Sequence, residues 1–163
     1  MIGGKRCTLQ VYLFTNRSGM KIMLKCTFLF VLAALCWQCN RITYTAENFP
    51  TENYLAFGQG GGFAGSLTTH YLLSNGQFFI SEGIEGAKLS AGKIGKGKAK
   101  KMLKRYQEEI QPYDFQEPGN RYSFLEYVAA DTTYEQQWGR TGIEVPEPML
   151  LFFQDLQLLL PQE

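Results

Sequence analysis

Cysteine is missing from the chain after Cys39, and histidine occurs once, at His70. The first absence excludes disulfides, thiolate metal sites and a cysteine nucleophile from the body of the chain. The second excludes a histidine metal cluster and makes any histidine-based triad depend on His70. No carboxylate lies between Lys88 and Arg105, a stretch that holds Lys88, Lys93, Lys96, Lys98, Lys100, Lys101, Lys104 and Arg105. The longest apolar run, Cys26 to Trp37, is interrupted only by Thr27. It is shorter than the about 20 residues of a membrane-spanning helix and has the length of a signal-peptide core.

What is present suits one domain. A length of 163 residues with 45% apolar and 14% aromatic content is enough to bury a core, which argues against disorder. Met20 to Lys25 is a short basic start to the apolar run, so Met20 or Met23 is expected to begin the protein proper. Residues 1–39 then read as an upstream extension plus signal peptide, 40–52 as a tether, and 53–163 as the globular domain. Cys39 follows the apolar run where a lipoprotein carries its acylated cysteine, and lipidation there would bring the chain to a membrane. Trp37 and Gln38 are not the small residues that usually precede such a cysteine, and Cys36, after Ala33, Ala34 and Leu35, fits no better. Plain secretion and an uncleaved anchor are the alternatives. After Cys39 the chain has 11 Lys+Arg against 15 Asp+Glu, a net charge of 11 − 15 = −4.

The clearest local signal is Ser74-Asn75-Gly76-Gln77, since Asn-Gly tolerates the positive φ that a two-residue hairpin turn needs. With that turn Leu73 faces Phe78, Leu72 faces Phe79 and Tyr71 faces Ile80. Leu67, Thr69, Tyr71, Leu73, Phe78 and Ile80 then share the expected core face, and Thr68, His70, Leu72, Phe79 and Ser81 the polar one. Tyr54 to Phe57 reads as a first strand and 82–97 as a loop with a turn or short strand near Leu89. Ala99, Met102, Leu103, Tyr106 and Ile110 form one stripe of an amphipathic helix closed by Pro112. Residues 116–120 read as a turn, 121–130 as a central strand and 134–138 as its antiparallel partner. Pro146, Glu147 and Pro148 start a last helix with Met149, Phe152, Phe153, Leu156, Leu159 and Leu160 on its buried face. The expected fold is α+β, an antiparallel sheet of about five strands with two helices on one face in the order β-β-β-α-β-β-α.

Two glycine motifs fail their context. Gly60-Gly61-Gly62-Phe63-Ala64-Gly65 fits G-x-G-x-x-G, but a strand pattern follows where a dinucleotide fold needs a helix. The lysine strand and catalytic loop that accompany a kinase glycine loop are also missing. The segment is read as a tight turn, with Gly60, Gly61, Gly62 and Phe63 as a candidate ligand loop. Gly92 to Lys98 matches the glycine and lysine positions of a P-loop, yet Ala99 stands where magnesium needs a hydroxyl. Glu82, Glu85, Glu126, Asp131 and Glu135 are available for acid–base chemistry but show no distinctive spacing. No catalytic residue, metal or cofactor is therefore assigned. Lys96, Lys98, Lys100, Lys101, Lys104 and Arg105 are a candidate contact for anionic surfaces or ligands. Nucleic acid is not an expected partner of an exported chain.

The segment 57–65, the Leu-Leu-x-Asn-Gly hairpin, Pro118 to Phe124 and Trp138-Gly139 together resemble small lipoproteins of unassigned reaction from Bacteroidota-type bacteria. The resemblance implies an envelope address and carries over no catalytic residue. Three classes of function are compatible with these residues: a non-catalytic binding or accessory module of the envelope, a protein inhibitor or peptide binder, and a small carboxylate-based hydrolase.

Overall fold

In the computed structural model, which describes residues 43–160, the α+β class expected from the sequence is present. The strands are β1 (Tyr54–Gly61), β2 (Ser66–Leu73), β3 (Gln77–Glu82), β4 (Leu89–Lys93), β5 (Gln116–Glu117), β6 (Arg121–Val128) and β7 (Thr133–Trp138). The helices are α1 (Lys96–Arg105), which runs on into a π-helical turn at Tyr106–Ile110, and α2 (Glu147–Gln157). The strands form one seven-stranded sheet in the order β4-β3-β2-β1-β6-β7-β5. β5 pairs with β7 in parallel and every other neighbour is antiparallel. The sheet exceeds the expected five because 89–93 and 116–117 also pair. Both are short and sit at the sheet's two edges, where alternation of side chains is a weak signal.

The β2–β3 register departs from the expectation by one residue. Leu72 lies opposite Phe78, Tyr71 opposite Phe79 and His70 opposite Ile80. Gly76 N–H donates to Leu73 O at 2.9 Å, and Gly76, with φ of 92°, is the one turn residue in the left-handed region. Asn75 is not, so the loop is a three-residue turn closed by a glycine bulge in place of the two-residue turn. The extra residue exchanges the faces of β2: Leu72 and His70 join Phe78 on the helix side, while Tyr71 and Leu73 turn to the other side.

Both helices pack on one face of the sheet. Leu55, Phe57, Leu72, Phe78, Leu125, Tyr127 and Trp138 meet Ala99, Met102, Leu103, Tyr106 and Ile110 of the first helical segment and Met149, Phe152, Phe153 and Leu156 of α2 in one buried cluster. α1 starts without a side-chain cap or an acidic residue in its first turn, so its apolar stripe holds it in place. Ala99, the residue that breaks the P-loop pattern, is fully buried in that stripe. The buried Tyr106 hydroxyl donates to Gln136 Oε1 at 2.6 Å, and Gln136 Nε2 donates to Tyr113 O at 3.1 Å, which satisfies the polar groups under the π-helical turn. α2 ends at Gln157, and Leu159 and Leu160, expected on its stripe, lie half-buried in the closing turn.

The opposite face is partly covered too. Residues 43–53, read from the sequence chiefly as tether, lie against it. Tyr44 N–H donates to Gln77 Oε1 at 2.8 Å, and Gln77 Nε2 donates to Tyr44 O at 3.0 Å. Phe49 packs edge-on against Tyr54, Tyr71 and Phe79, with Lys88 Nζ 4.8 Å from its ring centre.

Candidate functional site

Three central strands change character at one level of the helix-covered face. Along that face β1 reads Leu55, Phe57, Gln59, Gly61; β2, in the opposite direction, reads Leu72, His70, Thr68, Ser66; β6 reads Tyr127, Leu125, Ser123, Arg121. The pairing aligns these into rows. Tyr127, Leu55, Leu72 and Phe78 make an apolar row, and Gln136, Leu125, Phe57, His70 and Ile80 a row with two polar members, Gln136 and His70. Trp138, Ser123, Gln59 and Thr68 make the next, and Arg121, Gly61 and Ser66 the last. Beyond Phe57 the helices no longer cover the sheet, and a cleft of about 750 Å³ opens there. Phe57, Trp138 and Phe153 form its apolar end, while Gln157, the last residue of α2, and Leu160, just past it, line its side.

The glycine segment builds the rim. Gly60, Gly61, Gly62 and Phe63, the candidate ligand loop, all line the cleft, with Phe63 fully exposed at the tip of the 62–65 turn. The reason for glycine here is close approach. A Cβ on Gly60 would stand 2.7 Å from Tyr122 Oη, whose ring covers it on the far face. Gly61, with φ of 93°, ends β1 so that Gly62 N–H can donate to Asn120 O at 2.6 Å, tying the turn to β6.

His70 lies in this cleft and not on a solvated polar face, a correction that follows from the shifted β2 register. Its ring stacks on Phe57 with centroids 5.4 Å apart. His70 Nδ1 is buried without a hydrogen-bond partner among the described residues, and burial lowers its pKa below the usual histidine value. A charged ring would place an N–H at Nδ1 with no acceptor, so the neutral form is held. Among the residues lining the cleft Arg121 is the single permanent charge, and no carboxylate is present; Glu82, at the far end of the Thr68 row on β3, does not reach it.

The other singled-out residues lie elsewhere. Lys96 to Arg105 fall on α1, away from the cleft. Arg105 is bound to Asp155, which links the helical segment to α2, and to Glu109 at 2.8 Å; Lys104 pairs with Glu108 at 3.4 Å. Lys96, Lys98, Lys100 and Lys101 are exposed without an acid partner among the described residues. Glu126 and Glu135 do face each other across β6 and β7, but on the outer face. Burial, and then the charge of Glu135, raise the Glu126 pKa. Glu82, Glu85 and Asp131 are exposed. Among the described residues no group of three His, Cys, Asp or Glu side chains could hold a metal ion, and no helix is long and apolar enough to cross a membrane. Cys36 and Cys39 lie outside the described residues.

Gly60, Gly61, Gly62 and Phe63 were singled out in the sequence, whereas Gln59, Thr68, Arg121 and Ser123 were not. The signal was the shared switch from apolar to polar along three strands, visible only once the rows are correctly aligned.

No family model matches the chain, and a search of curated proteins returns no match.

Proposed function

We propose that this domain is a non-catalytic binding module of an exported, lipid-anchored envelope protein, with the cleft beside Gly61 as its ligand site. One observation carries the binding reading: adjacent strands turn polar at the same level while Phe57, Trp138 and Phe153 wall the inner end. The volume of about 750 Å³ falls within the roughly 300–1,000 Å³ of small-molecule sites. The absence of a carboxylate from the lining favours binding over acid–base hydrolysis, since the facing Glu126 and Glu135 line no cavity with these groups.

His70 is the only histidine, so its ring protons give unique resonances inside the cleft. A small-molecule screen followed by proton NMR tests the reading. Binders are expected to move the His70 signals. A screen whose binders all leave them still contradicts the proposed site.

Support for export comes from the basic start, the apolar run 26–37 and Cys39, together with the lipoprotein resemblance. Intact mass of the protein expressed in a bacterium with lipoprotein processing is expected to show loss of the first 35 to 38 residues and an added lipid. A full-length, unmodified chain contradicts export, and a cleaved, unlipidated chain contradicts the anchor alone.

Peptide capture is the second reading, favoured by β4 as an exposed edge strand. Lys88, Lys93 and the bulge opposite Phe78 and Phe79 work against it, because charges and bulges are what keep edges from pairing. The unpaired lysines of α1 add a salt-sensitive contact for anionic surfaces at the membrane.

A further inference from the structure

We infer that the cleft selects ligands bearing an oxyanion, a carboxylate or a phosphate, seated on Arg121 with an apolar body against Trp138 and Phe153. This rests on the cleft being a binding site and adds which chemistry it takes.

The described residues contain three arginines, and two are neutralised: Arg105 by Glu109 and Asp155, Arg140 by Glu117 at 2.9 Å. Arg121 makes no ion pair with any described residue and lines the cleft. Its position follows from the sheet. It opens β6 opposite Gly61, where a Cβ would run into the Asn120 carbonyl, so glycine is what lets β1 end this close to β6, and Nε lies 3.6 Å from where a Cβ on Gly62 would stand. A guanidinium with free donors is suited to planar, two-point recognition of carboxylate or phosphate.

The surroundings do not compete for that role. No lining carboxylate cancels the charge. His70 is held neutral by burial and its unpartnered Nδ1, so Arg121 supplies the positive potential alone. Ser123, two residues along β6, and Gln59, opposite Ser123, offer further donors toward the apolar end. Trp138 pairs with Ser123, so the indole is one row in from Arg121 and one strand across. Two residues of strand span about 7 Å and neighbouring strands lie about 4.8 Å apart, so the oxyanion and the apolar body sit about 8 Å from each other.

A matched set of probes separates this inference from the binding reading. Pyrenebutanol, pyrenebutyrate and pyrenebutyl phosphate share one apolar body and differ in the head group. Binding to the folded protein is followed by pyrene fluorescence, and the His70 ring signals report occupancy of the cleft. The expected result is that an oxyanion probe binds about tenfold more tightly than pyrenebutanol, equivalent to about 1.4 kcal/mol. Arg121→Gln should remove that preference, so that the three probes bind alike, while Arg140→Gln keeps it. The tighter of the two oxyanion probes names the head group. Equal binding of all three to wild type, or a preference that survives in Arg121→Gln, overturns the inference while pyrenebutanol in the cleft still upholds the site. Failure of every probe to move the His70 signals overturns both. Arg121 is exposed at a strand end, and circular dichroism of the variant checks that the fold is kept.

Discussion

Replacing Phe153 with alanine should destabilise the domain by about 3 kcal/mol, the lower end of the range for buried phenylalanine. The ring is 6% exposed and stands edge-on to Phe57 at 6.2 Å and to Trp138 at 5.2 Å between centroids. Its loss removes the transfer energy of the side chain and two aromatic contacts, each worth about 0.5–1.5 kcal/mol beyond area. The cavity term is small, because Phe153 already borders the cleft and the space it leaves merges with solvent. Phe152 offers the internal comparison. It is fully buried against Tyr106, with Arg105 over its ring, so Phe152→Ala leaves a closed void and should cost about 4–5 kcal/mol. Urea unfolding of both variants, with slopes checked against wild type, measures the two losses. A cost for Phe153→Ala below about 1 kcal/mol, the level of surface substitutions, would refute the packing of α2 on the sheet. A Phe153 loss larger than the Phe152 loss would refute the open side of the cleft.

Other expectations follow from the same contacts. Glu126→Gln should stabilise the domain at neutral pH by about 0.2–1 kcal/mol, because like charges directly opposite on neighbouring strands repel. The Glu126 pKa is raised in the fold by burial and by Glu135, so wild type loses stability as pH rises from 4.5 through the folded value. The gain from Glu126→Gln should accordingly vanish in urea melts below pH 4.5, where Glu126 is protonated in both folded and unfolded states. The His70 ring, its pKa lowered by burial, should titrate by NMR below 6.5, and wild-type stability should fall as pH drops through 6.5 toward the folded value; a midpoint above 6.5 contradicts its placement. Replacing Lys96, Lys98, Lys100 and Lys101 with Gln should abolish salt-sensitive co-sedimentation with anionic vesicles and leave the melting temperature unchanged. Equal sedimentation of variant and wild type removes that contact surface.

The helices and the central strands were legible because burial dictates their pattern. Ala99, Met102, Leu103, Tyr106 and Ile110 recur at helical spacing and are buried, as are Met149, Phe152, Phe153 and Leu156. The hairpin was legible in kind and not in register. Asn75-Gly76 marks a turn in either geometry, and the choice fell on the bulged loop, which seats Gly76 where a Cβ would stand 2.3 Å from Ile94 O. That long-range contact with the segment entering α1 is invisible to a local rule. The shift hid the cleft, since it moved His70 from the expected solvated face onto Phe57. The π-helical turn at Tyr106–Ile110 left no mark in an apolar spacing that reads equally well as α-helix. β5 escaped for lack of length.

The central claim is that ligand binding occurs on the helix-covered face, beyond the end of α2. Intermolecular nuclear Overhauser effects from bound pyrenebutyrate test it most directly, since aromatic side chains mark both faces of the sheet. Cross-peaks to the His70 ring and the Trp138 indole, with none to Tyr54 or Tyr71, are the predicted result. Cross-peaks to Tyr54 and Tyr71 with none to His70 would put the ligand on the opposite face and contradict the account.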